Sequence, residues 1–429
     1  MASSYSRNKK NIENEKIPKT LKDWENHESK FWSDQPMMHA MFKPHKEQYI
    51  YDPSDDIESP YNFEIYTHLI PDASGGKFIF NKYEFSKLSN DDVDKMVTFI
   101  NKNYFENFDS KQRLYHSSDY IRWLKPNMVV TVSDNNNDLS GIVFSRIIKI
   151  QHNDKVEECP EIFFMCIKKL LRRKNDIAKK MIQNLCNIYK DKYKCSYFAT
   201  YRYIGKPIVS LSVYSRILNF NKLYKSEYIK INDNDPVKLD SIKKKSEIFD
   251  KNSDKFKLVS IDDTVYKTTE DIPNFDPTIY PKIYQLYNDY RDKYNIYEYL
   301  TYEDFIDKYI TNNLVTTFII LNDKKEPNDF ASYIKTQTVM RNGSVINKAT
   351  LLFYTSLTSQ VTPFRIMKNA IIYAKKENID IFVTLDSLEN HSILNDLKFE
   401  DTKMKLHYYA FNKECFPMIN EQIGKHLIY

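Results

Sequence analysis

Glycine is scarce in this chain, its cysteines form no recognisable motif, and it contains no long apolar run. Only six glycines occur among 429 residues, and neither a Walker loop nor a dinucleotide-binding fingerprint fits its most basic strand-to-helix turn, described below. The five cysteines are odd in number and include no Cys-x-x-Cys pair, which argues against a disulfide framework or a zinc site. Because no segment approaches the roughly 18 apolar residues of a membrane span and no signal-peptide core begins the chain, we expect a soluble, cytoplasmic protein without a bound metal.

The charge of the chain is nearly balanced. Its 63 basic and 58 acidic residues give a net charge of +5, and the two signs are interspersed along the sequence. This pattern does not favour nucleic-acid binding. Residues 1–22 are polar and basic with few apolar positions, so we expect a disordered tail that could contact ribosomes. The remaining length suffices for two or three domains with sizeable cores, and we expect a monomer.

The stretch from Glu161 to Leu185 joins an apolar run of strand length to a helical pattern through a basic turn. Apolar residues recur on one helix face from Ile177 onward. Five basic residues lie in the turn: Lys168, Lys169, Arg172, Arg173 and Lys174. Free N–H groups at a helix start attract anions, and neighbouring cations strengthen that attraction. The junction therefore suits a phosphorylated ligand, although an ordinary solvated basic turn has the same residue types.

The predicted elements follow the same order in both halves of the chain. The first half has a helix at 92–105, a second helical pattern between 80 and 116, and strands at 128–132, 141–148, 161–167 and 197–201. The second half has a helix around Ile283, strands at 317–321, 330–334, 351–355, 381–385 and 406–411, a helix at 363–376 and a short helix at 391–397. A charged stretch at 230–271 separates the two halves. We therefore predict two copies of one α/β fold, with ligands at the strand-to-helix junction and in a groove between the halves.

Several short motifs resemble the eukaryotic N-myristoyltransferase family. The main ones are Phe31-Trp32-x-x-Gln35-Pro36, Phe164-Met165-Cys166-Ile167 with Leu171-Arg172-x-Lys174 and Ala178, Lys206-Pro207 with Leu218-Asn219, and Leu385-Asp386-x-x-Glu389-Asn390. Further matches are Asn103-Tyr104 with Glu106, Lys398-Phe399, and Tyr408-Tyr409 before Gly424. Each motif alone is weak. Together they follow the family's order from about residue 23 to the C-terminus, which is a specific signal.

The resemblance implies two fused GNAT-like acyltransferase halves with pseudo-twofold symmetry and a mixed sheet flanked by helices. Residues 23–235 would bind myristoyl-CoA, and residues 236–429 would bind the acceptor peptide and supply a terminal carboxylate. The implied reaction transfers myristate from myristoyl-CoA to the N-terminal glycine amine of a protein, by direct attack in an ordered ternary complex.

The resemblance also assigns site residues. The backbone amides of Phe164 and Met165 would form an oxyanion hole, and the carboxylate of Tyr429 would accept the proton of the amine. The acyl-CoA residues would be Lys30, Phe31, Trp32, Asn103, Tyr104, Phe105, Phe164, Met165, Cys166, Ile167, Arg172, Arg173, Lys174, Asn175, Ile177, Ala178 and Lys179. The acceptor residues would be Tyr104, Glu106, Asp109, Ala199, Thr200, Ser215, Tyr333, Gln337 and Tyr354.

This sequence departs from the family mainly on the acceptor side. Ala199, Ser215 and Gln337 stand where the family usually has threonine, histidine and serine, and the chain ends one residue later after Gly424. Two other functions therefore stay open at this point. One is a transferase of the same fold with a different acceptor or acyl chain, and the other is a non-catalytic protein that binds lipid or CoA. Blocking the C-terminus would separate catalysis from binding.

Overall fold

A computed structural model describes residues 78–104, 106–107, 112–152, 155–172, 177–193, 195–201, 204, 207–229, 236–247, 265–266, 279–357, 362–411 and 418–424. The predicted disordered tail and the Phe31-Trp32 motif lie outside these residues. The eight described helices are α1 (Asn90–Asn103), α2 (Ser118–Trp123), α3 (Ile177–Tyr189), α4 (Phe220–Lys225), α5 (Pro236–Ser246), α6 (Ile279–Arg291), α7 (Tyr302–Tyr309) and α8 (Pro363–Lys376). None of these helices is long and apolar enough to cross a membrane.

The described strands form one mixed sheet. They are β1 (Phe78–Glu84), β2 (Glu106–Asn107), β3 (Gln112–Tyr115), β4 (Met128–Asp134), β5 (Leu139–His152), β6 (Lys155–Ile167), β7 (Ser196–Thr200), β8 (Val209–Ile217), β9 (Val265–Tyr266), β10 (Ile296–Glu298), β11 (Val315–Leu321), β12 (Pro327–Met340), β13 (Val345–Tyr354), β14 (Ile381–Leu385) and β15 (Glu400–Phe411). The main path through the sheet is β1-β4-β5-β6-β7-β15-β8-β14-β13-β12-β11-β9. Helices pack against this sheet, which confirms the predicted mixed α/β class.

The two halves share the same strand pairing as well as the same order of elements. In the first half β4, β5 and β6 pair antiparallel, and β6 then pairs parallel with β7 after the crossover through α3. In the second half β11, β12 and β13 pair antiparallel, and β13 pairs parallel with β14 after the crossover through α8. Two copies of one topology are therefore present, as the GNAT-like prediction requires.

The two halves exchange strands at the centre of the sheet. β15 comes from the end of the chain, yet it pairs with β7 on one side and with β8 on the other. β8 follows β7 in sequence but pairs with β14 of the second half. In addition, β10 pairs with β5, and β3 pairs with β12. Each half thus completes the backbone hydrogen bonding of the other, which fixes their relative position.

A buried ion cluster reinforces the contact between the halves. The guanidinium of Arg146 on β5 lies 2.7 Å from the carboxylate of Glu161 on β6, which has no exposed surface. Arg146 also lies 3.9 Å from Glu298 on β10, and Glu298 pairs with Lys308 of α7 at 2.7 Å. A buried charge that loses its partner destabilises a protein strongly. These four side chains therefore favour one arrangement of the two halves.

Local sequence explains the two helices that frame the candidate site. α1 begins with a capping box, in which Ser89 and Asp92 satisfy each other's backbone N–H groups, and its apolar face buries Val93 and Ile100. α8 begins with Pro363 in its first turn after Thr362, whose side chain accepts a hydrogen bond from the amide of Arg365. The predictions of both helices are confirmed, and that of α8 has the correct bounds.

Two local predictions are wrong. Apart from α1 and a 3₁₀ turn at Phe85–Lys87, the described residues between 80 and 116 contain no second helix. Residues up to Glu84 belong instead to strand β1, in which Phe78 and Phe80 pack against the core beneath α3. The predicted short helix at 391–397 is a single 3₁₀ turn, Asn390–Ser392, followed by turns. Several strands also extend beyond their predicted bounds. β6, for example, begins at Lys155 instead of Glu161, because pairing with β5 continues through this charged segment.

Candidate active site

Strand β6 contains a bulge just before the basic turn that begins at Lys168. Phe144 pairs with Phe163 and Ile142 pairs with Cys166, so β6 has three steps where β5 has two. The extra residue leaves Phe164 and Met165 without register partners on β5. Bulges redirect the backbone locally and are common next to active sites. This one lies within the motif that the sequence singles out as an oxyanion hole.

The bulge coincides with the point where β6 separates from its parallel neighbour. Among described residues, β6 pairs with β7 only through Glu161 and Ile162. The whole of β7, including its end at Ala199 and Thr200, pairs with β15 on its other side. The two strands therefore open into a cleft whose β6 side carries the bulge. A ligand lying in such a cleft has access to backbone groups that the sheet does not use.

Phe164 adopts a left-handed backbone conformation, with φ of 47°. This region is unfavourable for a bulky residue and usually persists only where surrounding packing enforces it. The Phe164 ring is buried among aromatic rings, with centroids 5.1 Å from Tyr104, 4.7 Å from His116 and 5.7 Å from Phe163. The aromatic cluster therefore holds the strained backbone in place. Such strain at a cleft motivates a functional assignment.

The residues after Phe164 differ in exposure. Met165 is 37% exposed, whereas Cys166 is buried at 2%. Burial raises the pKa of the Cys166 thiol to about 12, so it is protonated at neutral pH. A buried protonated thiol is a small apolar side chain and not a nucleophile. Cys166 and Ile167 thus contribute backbone and packing to this edge.

Arg172 holds the end of α1 in the structure. Its guanidinium donates hydrogen bonds to the carbonyl oxygens of Asn103 and of Tyr104, the latter at 3.1 Å, and to that of Ile167 at 3.2 Å. A cation at a helix C-terminus satisfies carbonyls that have no partner within the helix and complements the helix dipole. Asn103 is buried, and its side-chain oxygen accepts a bond from the amide of Lys169 at 3.4 Å. Arg172 therefore couples α1 to the basic junction.

The start of α3 lies directly after this junction. Ile177 is buried, whereas Ala178 and Lys179 are half-buried on the first turn of the helix. Arg173, Lys174 and Asn175, like Lys30, Phe31, Trp32 and Phe105, lie outside the described residues. In the described part of the chain no cluster of histidine, cysteine or carboxylate side chains could hold a metal ion.

The predicted acceptor residues fall into two groups. Tyr104 packs against Phe164 in the aromatic cluster, and Ala199 and Thr200 lie at the end of β7, across the cleft. The others lie on strands of the second half of the sheet or outside the described side chains. Ser215 pairs with Val383 and Glu400, and Gln337 is exposed and pairs with Tyr115. Of Glu106 only the backbone is described, and Asp109 lies outside the described residues.

Tyr333 and Tyr354 are core residues in this structure. Both side chains are fully buried. The Tyr333 hydroxyl donates a hydrogen bond of 2.7 Å to Glu377 at the end of α8, and the Tyr354 ring lies 5.9 Å from that of Tyr290. Burial raises the pKa of both phenols. Their role in acceptor binding stays a prediction.

The C-terminal segment runs into the protein. Ile423 is fully buried and forms a parallel bridge with Ile296, and the amide of Gly424 donates a bond of 2.8 Å to the Ile296 carbonyl. A Cβ atom at Gly424 would lie 2.5 Å from the Tyr294 ring, so only glycine fits this close approach. The last five residues, including Tyr429, lie outside the described part. Five residues reach at most about 17 Å from the anchored Gly424.

Three aromatic residues near the bulge escaped the sequence interpretation. His116 stacks on Tyr120 at 5.3 Å between centroids. Tyr201 follows Thr200 at the end of β7, and it interacts electrostatically with both Tyr104 and Tyr120. No motif marks these residues, because they come from two segments, one around His116 and Tyr120 and one at Tyr201, that meet only in the fold.

Sequence and structure comparisons agree with this geometry. Residues 74–209 match the N-terminal domain, and residues 235–426 the C-terminal domain, of myristoyl-CoA:protein N-myristoyltransferase. The chain is 25% identical over 347 residues to glycylpeptide N-tetradecanoyltransferase 2 of Bos taurus, covering 77% of this chain and 65% of that protein. It is 24% identical over 348 residues to glycylpeptide N-tetradecanoyltransferase of Plasmodium falciparum (isolate 3D7), covering 78% and 79%.

The fold is similar to that of a solved enzyme structure. The crystal structure of Saccharomyces cerevisiae N-myristoyltransferase with bound myristoyl-CoA matches with a TM-score of 0.74 at 17% identity, covering 94% of this chain and 99% of that one. The two matched domains together span most of the chain, in the order that the repeated topology requires. This chain therefore belongs to the myristoyl-CoA:protein N-myristoyltransferase family.

Proposed function

We propose that this protein transfers a myristoyl chain from myristoyl-CoA to the N-terminal glycine amine of acceptor proteins. The observation that carries the proposal is the bulge at Phe164 and Met165, which faces a cleft beside a basic helix start. Membership in the family suggests the reaction, myristoyl transfer, and the bulge suggests where the thioester would bind. We assign residues 23–235 to the acyl-CoA half and residues 236–429 to the half that binds the acceptor and carries the terminal carboxylate.

The backbone amides of Phe164 and Met165 would bind the thioester oxygen. Negative charge develops on this oxygen as the amine attacks the carbonyl carbon. Fixed amide donors that point at such an oxygen lower the barrier by roughly 2.7–4 kcal/mol each where this has been measured. The aromatic rings around Phe164 support this role, because they hold the backbone in its left-handed conformation before any substrate binds.

The basic junction would hold the phosphate groups of CoA. Four basic residues that precede the start of α3 in sequence would supply positive charge, and a helix start favours anions. They are Lys168, Lys169, Arg173 and Lys174. Arg172 would act differently from its predicted role. Its guanidinium donates hydrogen bonds to carbonyls at the end of α1, so not all of its N–H groups are left for a phosphate. We therefore propose that Arg172 mainly positions Tyr104 and the basic turn between β6 and α3.

The reaction exchanges one bond for another without any redox change. The amine nitrogen attacks the thioester carbon, the C–N bond forms and the C–S bond breaks. CoA leaves as a thiolate, which takes up the proton that the nitrogen loses on becoming an amide. The amine must first lose a proton, and an α-amine has a reference pKa of about 7.7–8.0. We propose that the carboxylate of Tyr429 accepts this proton, because the segment that precedes it is anchored in the interior at Ile423 and Gly424.

The proposal extends to the setting of the reaction. We propose that the protein works as a monomer in the cytoplasm, where N-terminal glycines of newly made chains are available. The basic residues of the first 22 positions would favour contact with ribosomes. The acceptor residues Ala199, Thr200, Ser215 and Gln337 would set a peptide preference that differs from that of relatives.

An acyl-transfer assay tests the proposal. Purified protein is mixed with myristoyl-CoA and a peptide that begins Gly-Ser, and the acylated peptide is measured by mass spectrometry. We expect turnover with this peptide and none with the same peptide carrying an N-acetyl group, because the acetylated nitrogen cannot attack. Saturable binding of myristoyl-CoA without turnover on any glycine peptide would contradict the proposal and favour a binding protein.

A further inference from the structure

The imidazole of His116 is buried beside the bulge, and neither of its ring nitrogens has a hydrogen-bond partner among the described residues. The side chain is 6% exposed. Its ring contacts those of Phe164 on β6, Tyr120 on α2 and Tyr104 after α1, with centroids 4.7, 5.3 and 6.3 Å away. The backbone of His116, in contrast, is fully paired: its N–H and C=O both bond the side chain of Asn101 at 2.8 Å.

His116 also lies where the two halves meet. The preceding residue, Tyr115, ends β3 and pairs with Gln337 on β12 of the second half. On its other side the imidazole contacts the ring of Phe164, whose backbone forms the bulge. His116 is therefore in contact with Phe164 of the half proposed to bind acyl-CoA. Through Tyr115 it is also next to a strand of the half proposed to bind the acceptor.

An unpartnered imidazole is costly in such a place. Leaving a buried donor or acceptor without a partner destabilises the folded protein, and native proteins contain few such groups without a reason. Burial lowers the pKa of His116 to about 4, so the ring is neutral at physiological pH. Neutral imidazole offers one N–H donor and one nitrogen acceptor. The phenols that face it, Tyr104 and Tyr120, have pKa values raised by burial and are also neutral.

We propose that a ring nitrogen of His116 accepts a hydrogen bond from the α-amine of the acceptor glycine and orients that amine toward the thioester carbonyl. The proposal rests on the proposed transferase function. The thioester oxygen needs donors, which the bulge amides supply, whereas the amine carries N–H groups that need an acceptor. The three aromatic rings around the imidazole keep it away from bulk water.

His116 acts here as a positioning residue and not as the base. Its neutral imidazole accepts a hydrogen bond from the amine and fixes the direction of the nitrogen lone pair. Proton removal stays with the terminal carboxylate, as proposed above. Loss of the imidazole should weaken peptide binding and leave acyl-CoA binding unchanged.

The test combines peptide binding with turnover. Anisotropy of a Gly-Ser peptide labelled at its C-terminus reports the peptide Kd in the presence of a non-reactive thioether analogue of myristoyl-CoA, and the transfer assay reports KM and kcat. The variants are His116→Phe, His116→Asn and His116→Gln. Thr338→Val is the matched control, because Thr338 is buried on the same β3–β12 interface, its hydroxyl has no partner among the described residues, and it is assigned no substrate contact.

We expect His116→Phe to raise the peptide Kd and KM about tenfold, which corresponds to about 1.4 kcal/mol, without raising the KM for myristoyl-CoA. Asn places its amide near Nδ1 and Gln near Nε2, so rescue by one of them identifies the nitrogen that binds. Thr338→Val should leave both peptide constants within about twofold of wild type.

Two results would overturn the proposal in different ways. If wild-type protein acylates the peptide and His116→Phe binds and acylates it equally well, the imidazole is only a buried core residue, and the transferase function stands. If wild-type protein neither binds nor acylates the peptide, the transferase function fails, and the role of His116 fails with it. Thermal unfolding checks the fold of each variant, and His116→Phe is expected to be at least as stable as wild type because it removes an unpaired buried group.

Discussion

The two halves of the sheet contain the same strand-to-helix junction with different chemistry. Both β6 and β13 carry a bulge opposite a neighbouring antiparallel strand, and both lose their parallel partner beyond it. The first junction has Phe164 at positive φ, an exposed Met165 and five basic residues in its turn. In the second junction, the described residues of β13 have ordinary φ values, and residues 355–362 include no lysine or arginine.

The start of α8 is also less suited to binding an anion than the start of α3. The amide of Arg365 in α8 bonds Thr362, and Pro363 contributes no N–H group. Few donors are therefore left there for an anion. In the first half the basic residues precede a helix without proline or acidic residues in its first turn. The repeated topology thus contains two such junctions, and charge and backbone strain distinguish the one that suits acyl-CoA.

The largest expected effect concerns the C-terminal carboxylate, which the second half would contribute to the site in the first half. Adding one alanine after Tyr429 moves the carboxylate, so we expect kcat to fall by about 10²- to 10⁴-fold, the usual contribution of a positioned base. Deleting Tyr429 should also lower kcat. Binding of myristoyl-CoA, measured by titration calorimetry, is the control and should stay unchanged. Full turnover by the extended chain would show that the base lies elsewhere.

The bulge itself can be compared between the halves by replacing single backbone amides with esters. Incorporating an α-hydroxy acid at position 165 removes one N–H donor, and we expect kcat to fall about 10²- to 10³-fold. The matched control is the same replacement at Leu352, the bulge residue of β13. It should leave kcat nearly unchanged. Equal losses at both positions would mean that the ester perturbs the fold and that the bulge amide of β6 has no special role.

Charge at the two junctions gives a smaller effect. Arg173→Gln with Lys174→Gln should raise the KM for myristoyl-CoA about tenfold and weaken its dependence on ionic strength, because two cations near the phosphates are lost. Arg172 is left intact in this variant, since it holds the end of α1. Lys243→Gln with Lys244→Gln on α5 removes the same charge far along the chain and should not change KM. Equal effects of the two double variants would indicate a general charge effect.

The smallest expected effect lies in the second junction. Thr362→Ala removes the side-chain cap of α8, so the free energy of unfolding should fall by about 1 kcal/mol. Urea unfolding measures this loss. Steady-state kinetics should show an unchanged KM for myristoyl-CoA, because this helix start binds no phosphate. A raised KM for myristoyl-CoA would indicate that acyl-CoA binds at the start of α8 and would contradict its assignment to the β6–α3 junction.

Much of the repeat could be predicted from the sequence because local signals were strong there. The apolar run of β6, the period of α3 and the Thr362-Pro363 start of α8 each specify an element locally. The exchange of β8 and β15 could not be predicted, since it depends on pairing between residues about 200 positions apart. β1 was missed because an alternating pattern of only seven residues competes with a helical period.

The site was harder to predict than the fold. The motif marked Phe164, but its left-handed backbone opposes the local preference of a phenylalanine and is imposed by packing. Arg172 was expected at a phosphate, which stays a prediction; in the structure its guanidinium donates to the carbonyls of Asn103 and Tyr104 at the end of α1 and to that of Ile167 at the end of β6. His116 gave no sequence signal at all. Its interest comes from burial and missing partners, which only the folded chain reveals.

The most direct test of the account is a crystal structure with the non-reactive thioether analogue of myristoyl-CoA that retains the carbonyl group. We predict the carbonyl oxygen about 2.7–3.1 Å from the amides of Phe164 and Met165, with the CoA phosphates at the β6–α3 junction. Acyl-CoA bound at the β13–α8 junction, or a carbonyl that points away from the bulge, would contradict the claim that the first junction alone carries the chemistry.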